Sequence, residues 1–252
     1  MRMLALSAMV MTFFVIHTES RGSESVPAVV VELFTSEGCS SCPPADALLS
    51  EMAERSPVQG VEFIPLSLHV DYWNRLGWTD PFSMKQFSDR QGKYSEHLTG
   101  QGIYTPQLVV NGKTDCVGSD REAVIRQVSE AAATKRATLG LKWTKEKENR
   151  HLNIEWGNLP AGDAKYALML AVTEDGLETK VDRGENAGKA LRHDGVVRQL
   201  EDIGAVDVSV ADRTKDHLVA VDPSWKPEHL HVVVFLQNQE TMEIVAAATI
   251  KP

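Results

Sequence analysis

Glu32-Leu-Phe-Thr-Ser-Glu-Gly-Cys39-Ser-Ser-Cys42-Pro-Pro44 carries the chemistry of this chain and the first clue to its architecture. Just before Cys39, residues 28–34 (AVVVELF) form an apolar, largely β-branched run, which suits a strand covered on both faces. Just after Cys42, Ala45, Leu48, Leu49 and Met52 recur at helical spacing across 44–55. The two cysteines therefore fall at a strand-to-helix corner, one turn apart and close enough to bridge. A sulfur at a helix N-terminus faces unpaired N–H groups and the positive end of the helix dipole, which favours thiolate. In disulfide exchange Cys39 would attack and Cys42 would resolve the mixed disulfide. Exchange needs the sulfurs within reach of a partner, and the corner is expected to expose both; a sulfur sealed in the interior would end the exchange reading. Two other readings stand beside it. One is a static disulfide. The other is half of a metal site, with Cys39, Cys42 and His69 as donors to copper or zinc; Cys116 alone supplies no second CxxC.

Around this corner the composition is that of an ordinary globular protein. The chain has 252 residues, 42% of them hydrophobic, and 26 Lys+Arg against 35 Asp+Glu leave a formal charge of -9. A net negative field with no basic stripe repels phosphate and argues against nucleic acid as a partner. Three cysteines are too few for a disulfide scaffold. The N-terminus opens with Met1-Arg2 and an uncharged run from Met3 to Ile16, too short to span a bilayer and suited to a signal-peptide core. Residues 1–22 are expected to be removed near Ser20–Ser23. No later segment reaches spanning length, so the expected product is exported, periplasmic or secreted, with no membrane span after cleavage.

From 28 to about 136, strand-like and helix-like segments alternate. Residues 61–68 read as a second strand, which Pro65 demotes toward an edge or bulge. Thr79-Asp80-Pro81 reads as the start of a helix reaching Leu98. Gln107 to Val110, Asn111-Gly112 and Thr114 to Val117 read as a hairpin, and Ser119-Asp120 caps a helix over 121–135. After Ala137 the period changes to two: Leu139, Leu141 and Trp143, then Leu152, Ile154 and Trp156, then 165–173, 206–210, 231–236 and 244–250. Short strands between turn signals suggest an antiparallel sandwich.

Other candidates surround the cysteines. His69 and Asp71 follow the second strand, where they would serve as a base, as ligands or as plain loop hydrogen-bonders. Tyr72, Trp73 and Trp78 would line a groove or close the core. Cys116 reads as a spare thiol, or as a third partner for Cys39. Arg183-Gly-Glu185-Asn186-Ala-Gly188-Lys189 and Arg192-His193-Asp194 are dense in polar groups. They form either a turn packed on the first half or a loop reaching the CxxC.

The order strand, CxxC helix, strand, helix, Tyr104-Thr105-Pro106, hairpin, helix resembles a thioredoxin fold. That resemblance implies a cis Thr105–Pro106 bond beside the cysteines. It also implies a substrate strand pairing with the backbone before Pro106, bordered by Tyr104, Trp73 and Trp78. Three features differ from working thioredoxins. Gly38 replaces tryptophan. Leu33 stands where a buried acid is usual, with Glu32 next to it expected on the opposite face. Pro43 and Pro44 directly follow Cys42. More closely, VVVELFTSEGCSSCPPAD, LHVDYWNRLGWTDPFS, IYTPQLVVNG, VGSD and RGENAGKALRHDGVVRQL are similar to an uncharacterised exported bacterial family, domain of unknown function 1223.

The expectation is thus an α/β thioredoxin-like domain over 26–136, followed by a mostly β, antiparallel sandwich-like domain over 137–252. The expected function is exported thiol–disulfide exchange through Cys39 and Cys42, without a bound cofactor. Protein thiols or disulfides would be the substrates, with an electron-donor or acceptor protein. A metal carrier, or a binding module braced by a structural disulfide, are the alternatives. Glu32, His69, Asp71 and Cys116 are accessory candidates.

Overall fold

The computed structural model describes residues 26–98, 102–134, 136–146, 149–206 and 213–252. The expected signal segment 1–22, Lys135 and residues 207–210 lie outside the described residues. In chain order the elements are β1 (Ala28–Thr35), α1 (Pro43–Glu54), β2 (Glu62–His69), α2 (Lys85–His97), β3 (Gln107–Val110), β4 (Thr114–Val117) and α3 (Arg121–Ala132). There follow β5 (Thr138–Glu146), β6 (Asn149–Gly157), β7 (Tyr166–Glu174), β8 (Leu177–Lys180), β9 (Ala190–His193), β10 (Val196–Val206), β11 (Thr214–Leu218), β12 (Leu230–Asn238) and β13 (Ile244–Ile250).

One mixed sheet of eight strands, in the order β13-β12-β7-β10-β2-β1-β3-β4, runs through the molecule. β1 pairs in parallel with β2 and antiparallel with β3. The strands C-terminal to α3 join through β10, which meets β2 in parallel at Val196 and Ser67. Ser67 N–H donates to Gly195 O at 2.8 Å across this seam. The expectation of an α/β thioredoxin-like domain followed by a sandwich-like domain is therefore corrected. The fold is mostly β, 42% strand against 20% helix, and centred on a mixed sheet. The physical reason is that β7 and β12 are buried on both faces, as strands inside a large sheet are, rather than half-exposed as in a free sandwich.

Side-chain alternation sets what covers each face. Val29, Val31 and Leu33 of β1 point to α1 and α3, packing with Leu49, Met52, Leu108 and Val124. Val30 and Phe34 point the other way, onto Phe87 and Tyr94 of α2, in a cluster that continues through Ala171, Val233 and Phe235. The three-stranded sheet β11-β6-β5 lays Leu152 and Ile154 over Leu168, Leu170, Val232 and Val234.

Two local expectations also change. Pro65 lies in a strand with neighbours on both sides, but β2 touches β10 at one register pair only, so the missing N–H breaks no ladder. The helix expected from Asp80 begins at Lys85 instead. Asp80 caps a turn, accepting from Phe82 N–H at 2.9 Å, because its other oxygen is engaged elsewhere. The hairpin forms as read: Lys113 N–H donates to Val110 O, with Asn111 and Gly112 both at positive φ. Asp120 caps α3 through Ala123 N–H.

Candidate functional site

Cys39 ends the turn after β1, and Cys42 is the N-cap of α1, which starts on the two prolines. Proline lacks the N–H that the first helical turn leaves unpaired, so Pro43 and Pro44 fit there without cost. Cys42 is helical itself and its carbonyl accepts from Ala45 and Asp46 N–H, so the helix begins at the second cysteine. The two cysteines form a disulfide with Cα atoms 5.4 Å apart. The Thr105–Pro106 peptide is cis.

Two hydroxyls converge on the sulfur of Cys39. Ser41 Oγ lies 3.3 Å away and Thr105 Oγ1 donates to it at 3.4 Å. Trp73 Nε1–H donates to the same Thr105 oxygen at 2.9 Å, which turns the Thr105 hydrogen toward the sulfur. Among the described residues Cys42 Sγ has no such donor. The expected exposure is not found: both cysteines are fully buried. The cover is the loop between β8 and β9. Asn186, itself fully buried, donates through Nδ2 to Glu37 O and Cys39 O, each at 2.9 Å. Glu185 Oε2 accepts from Ser40 N–H at 3.0 Å. The 183–189 segment thus reaches the CxxC, and Ser40 and Ser41 remain exposed at its rim.

Behind the bridge lies a cluster of buried ionisable groups: Glu37, Asp46, His69, Asp80 and His193. His69 donates from Nδ1 to Asp80 at 2.7 Å, and His193 from Nε2 to Glu37 at 3.3 Å. The two rings meet edge to face, 4.8 Å between centroids. Burial alone would pull the His69 imidazole down; contact with Asp80 outweighs it and raises it above its usual value. Burial raises the Asp80 carboxyl, but His69 and two backbone donors bring it below its usual value. Trp78 Nε1–H donates to Glu37 at 2.8 Å, so this tryptophan closes the cluster.

The remaining candidates take structural places. Glu32 faces α2, opposite Leu33 as expected, and pairs with Arg90 at 2.6 Å; Tyr94 donates to the same carboxylate. Asp71 accepts from the Ser88 hydroxyl of α2. Tyr104 donates to Asp115 at 2.7 Å, and its carbonyl accepts from Gln91. Cys116 is a free thiol on β4, opposite Leu108, and burial pushes it up to about 12. Among the described residues no three His, Cys, Asp or Glu side chains gather closely enough to hold an ion. No helix of the described residues is long and apolar enough to cross a membrane. Sequence reasoning missed Glu37, Asp46 and Asp80 as members of one cluster. The available signal was Asp46, an acid beside the apolar stripe of α1.

A family model described as "Protein of unknown function (DUF1223)" matches residues 30–237, which takes in the CxxC, the cis-proline, the buried cluster and the covering loop. The chain belongs to this family. The DUF1223 chain is similar to a crystal structure of a structural-genomics target from Agrobacterium tumefaciens, with 28% identity and a TM-score of 0.68, covering 91% of this chain and 96% of that one. It also resembles HBP35 of Porphyromonas gingivalis, with 18% identity and a TM-score of 0.66, covering 91% of this chain and 76% of that one; at that identity the likeness concerns the fold alone. No curated protein matches the chain.

Proposed function

We propose that the protein is an exported thiol–disulfide oxidoreductase in which Cys39 attacks protein thiols or disulfides, Cys42 resolves, and an electron-donor or acceptor protein resets the pair. The observation that carries this reading is the asymmetry of the bridge: the Ser41 and Thr105 hydroxyls meet at Cys39 Sγ alone. Donors aimed at one sulfur favour its thiolate, whereas a brace between two loops has no use for them. The full burial of both cysteines rules out exchange in the conformation described. The reading therefore includes an opening step, in which Glu185 and Asn186 release Ser40 and Cys39.

The test is equilibration of the folded protein with glutathione over graded ratios, followed by alkylation and mapping of the labelled cysteine. The expected result is reversible reduction without loss of fold, with Cys39 labelled first. Its thiol should titrate below about 8.5, the value of a free cysteine. Thr105→Val should raise that value. A bridge that resists reductant until the protein unfolds, or a Cys39 thiol at or above the free value, would assign the disulfide to bracing instead.

A further inference from the structure

Three carboxylates and two imidazoles meet behind the bridge, and their hydrogen bonds do not use them equally. Asp80 has the His69 N–H and Glu37 has the His193 N–H. Asp46 is left over. Both of its oxygens lack a hydrogen-bond partner, as does His193 Nδ1, 3.9 Å from one of them. Thr35 faces the same carboxylate without closing a bond, and His69 Nε2 is also free. Asp46 is 5% exposed and His193 1%. Burial without a closed hydrogen bond favours the protonated form of a carboxyl over the charged one. Burial does raise the Asp46 carboxyl, against the pull of His193 and His69, and Asp80 adds to the rise.

The place of Asp46 gives that proton a use. Its N–H donates to Cys42 O at 3.1 Å, so it sits one turn along α1 from Cys42 on the same helix face. Side chains lean toward the N-terminus of their helix, here toward Cys42. On the other side, Asp46 and His193 line a groove of about 450 Å³ between α1 and β9. Glu51 and Glu54 of α1 and Arg192 and Asp194 beside His193 border it.

We infer that Asp46, with His193 beside it, stores and transfers the proton that Cys42 needs when the bridge opens, with the α1–β9 groove as the route to solvent. This rests on the exchange reading above. In reduction, an external thiolate bonds to Cys39 Sγ. The Cys39–Cys42 bond breaks and its electron pair leaves on Cys42 Sγ. The Asp46 carboxyl gives its proton to that sulfur and becomes a carboxylate, and His193 takes up a proton from the groove beside it. A second external thiolate then displaces Cys39, which leaves as a thiolate, so two external thiolates become one disulfide and the protein holds a Cys42 thiol and a Cys39 thiolate. In the reverse direction the Asp46 carboxylate takes the Cys42 proton, and the thiolate attacks the mixed disulfide at Cys39.

The experiment measures the equilibrium constant of the full chain against glutathione from pH 5 to 9, with the rate at which Cys42 resolves a Cys39–glutathione mixed disulfide. The wild type should show a bend in the pH profile that Asp46→Asn removes and Asp46→Glu restores. Resolution in Asp46→Asn should slow about a hundredfold at pH 7, the low end for a lost proton-transfer group. His193→Gln should shift the bend, and it carries the test if Asp46→Asn does not fold. Profiles and rates unchanged in Asp46→Asn and His193→Gln, while exchange proceeds, overturn this inference alone. A wild type that exchanges at no pH overturns the exchange reading and this inference with it.

Discussion

Asp80 gathers three donors onto one side chain: the His69 imidazole, Glu37 N–H and Phe82 N–H. His69 has a raised value, so its share of stability is complete below its ordinary value of 6.5 and is lost as pH rises through the raised one. Asp80 has a lowered value, so its share holds above its ordinary 3.8 and is lost as pH falls through the lowered one. Stability from the pair should therefore be greatest between about pH 4 and 6.5. Asp80→Asn should cost about 3–5 kcal/mol there, as for one partner removed from a buried pair. Denaturant unfolding at several pH values measures both effects, and a flat profile would contradict them. Cys116, with its thiol pushed up to about 12, should resist alkylation at pH 8 in the folded protein. At this scale the cis Thr105–Pro106 bond was implied by the resemblance alone, whereas the sequence revealed the cysteines because their spacing is self-contained. It hid Asp80, whose proline neighbour and side-chain oxygen signal a helix start equally well. The partners that turned it into a cluster member, His69 and Glu37, are set by tertiary contact.

The hairpin β3–β4 was legible to the residue, because Asn111-Gly112 encodes its own turn. Gly112 has φ 67, and a β-carbon there would collide with the carbonyl of Met242 from the loop before β13. Gly112→Ala should therefore destabilise the protein by more than the roughly 1 kcal/mol that a compatible glycine replacement gains, with the loss visible in thermal unfolding. α2 was legible as a helix but not in its partner. Its buried Arg90 holds Glu32 of β1 and Gln237 of β12 at once, joining strands far apart in sequence. Arg90→Ala leaves Glu32 buried without its cation, a change expected to cost about 3–5 kcal/mol in the same measurement.

Across the whole molecule, the eight-stranded sheet makes the segments before and after Ala137 structurally continuous. Unfolding is expected in one transition. Far-ultraviolet circular dichroism and tryptophan fluorescence should coincide, since Trp73 and Trp78 report on one side and Trp143, Trp156 and Trp225 on the other. Two separated midpoints would refute this. The texture after α3 does change to a run of strands, β5 to β13, but the expected period of two fails in β7 and β12, which are buried on both faces. The seam was not read from the sequence, because its ladder is one register pair between β2 and β10 and the rest is tertiary packing such as Arg90 on Gln237, and neither leaves a periodic trace. β7 is buried on both faces because one packs against Leu152 and Ile154 of β6 and the other joins the cluster around Phe87 of α2.

Asn186 draws a consequence from the covering loop. Its one carboxamide holds the Glu37 and Cys39 carbonyls, while the Lys189 ammonium donates to its oxygen at 2.9 Å and the neighbouring Glu185 carboxylate holds Ser40 N–H. The tempo of the sulfur chemistry would then be governed by how often this loop lets go, and with an ammonium and a carboxylate among its contacts it should quicken as salt is added. In Asn186→Ala, reagents small enough to slip past the loop and bulky proteins should both gain speed, the proteins by the larger factor.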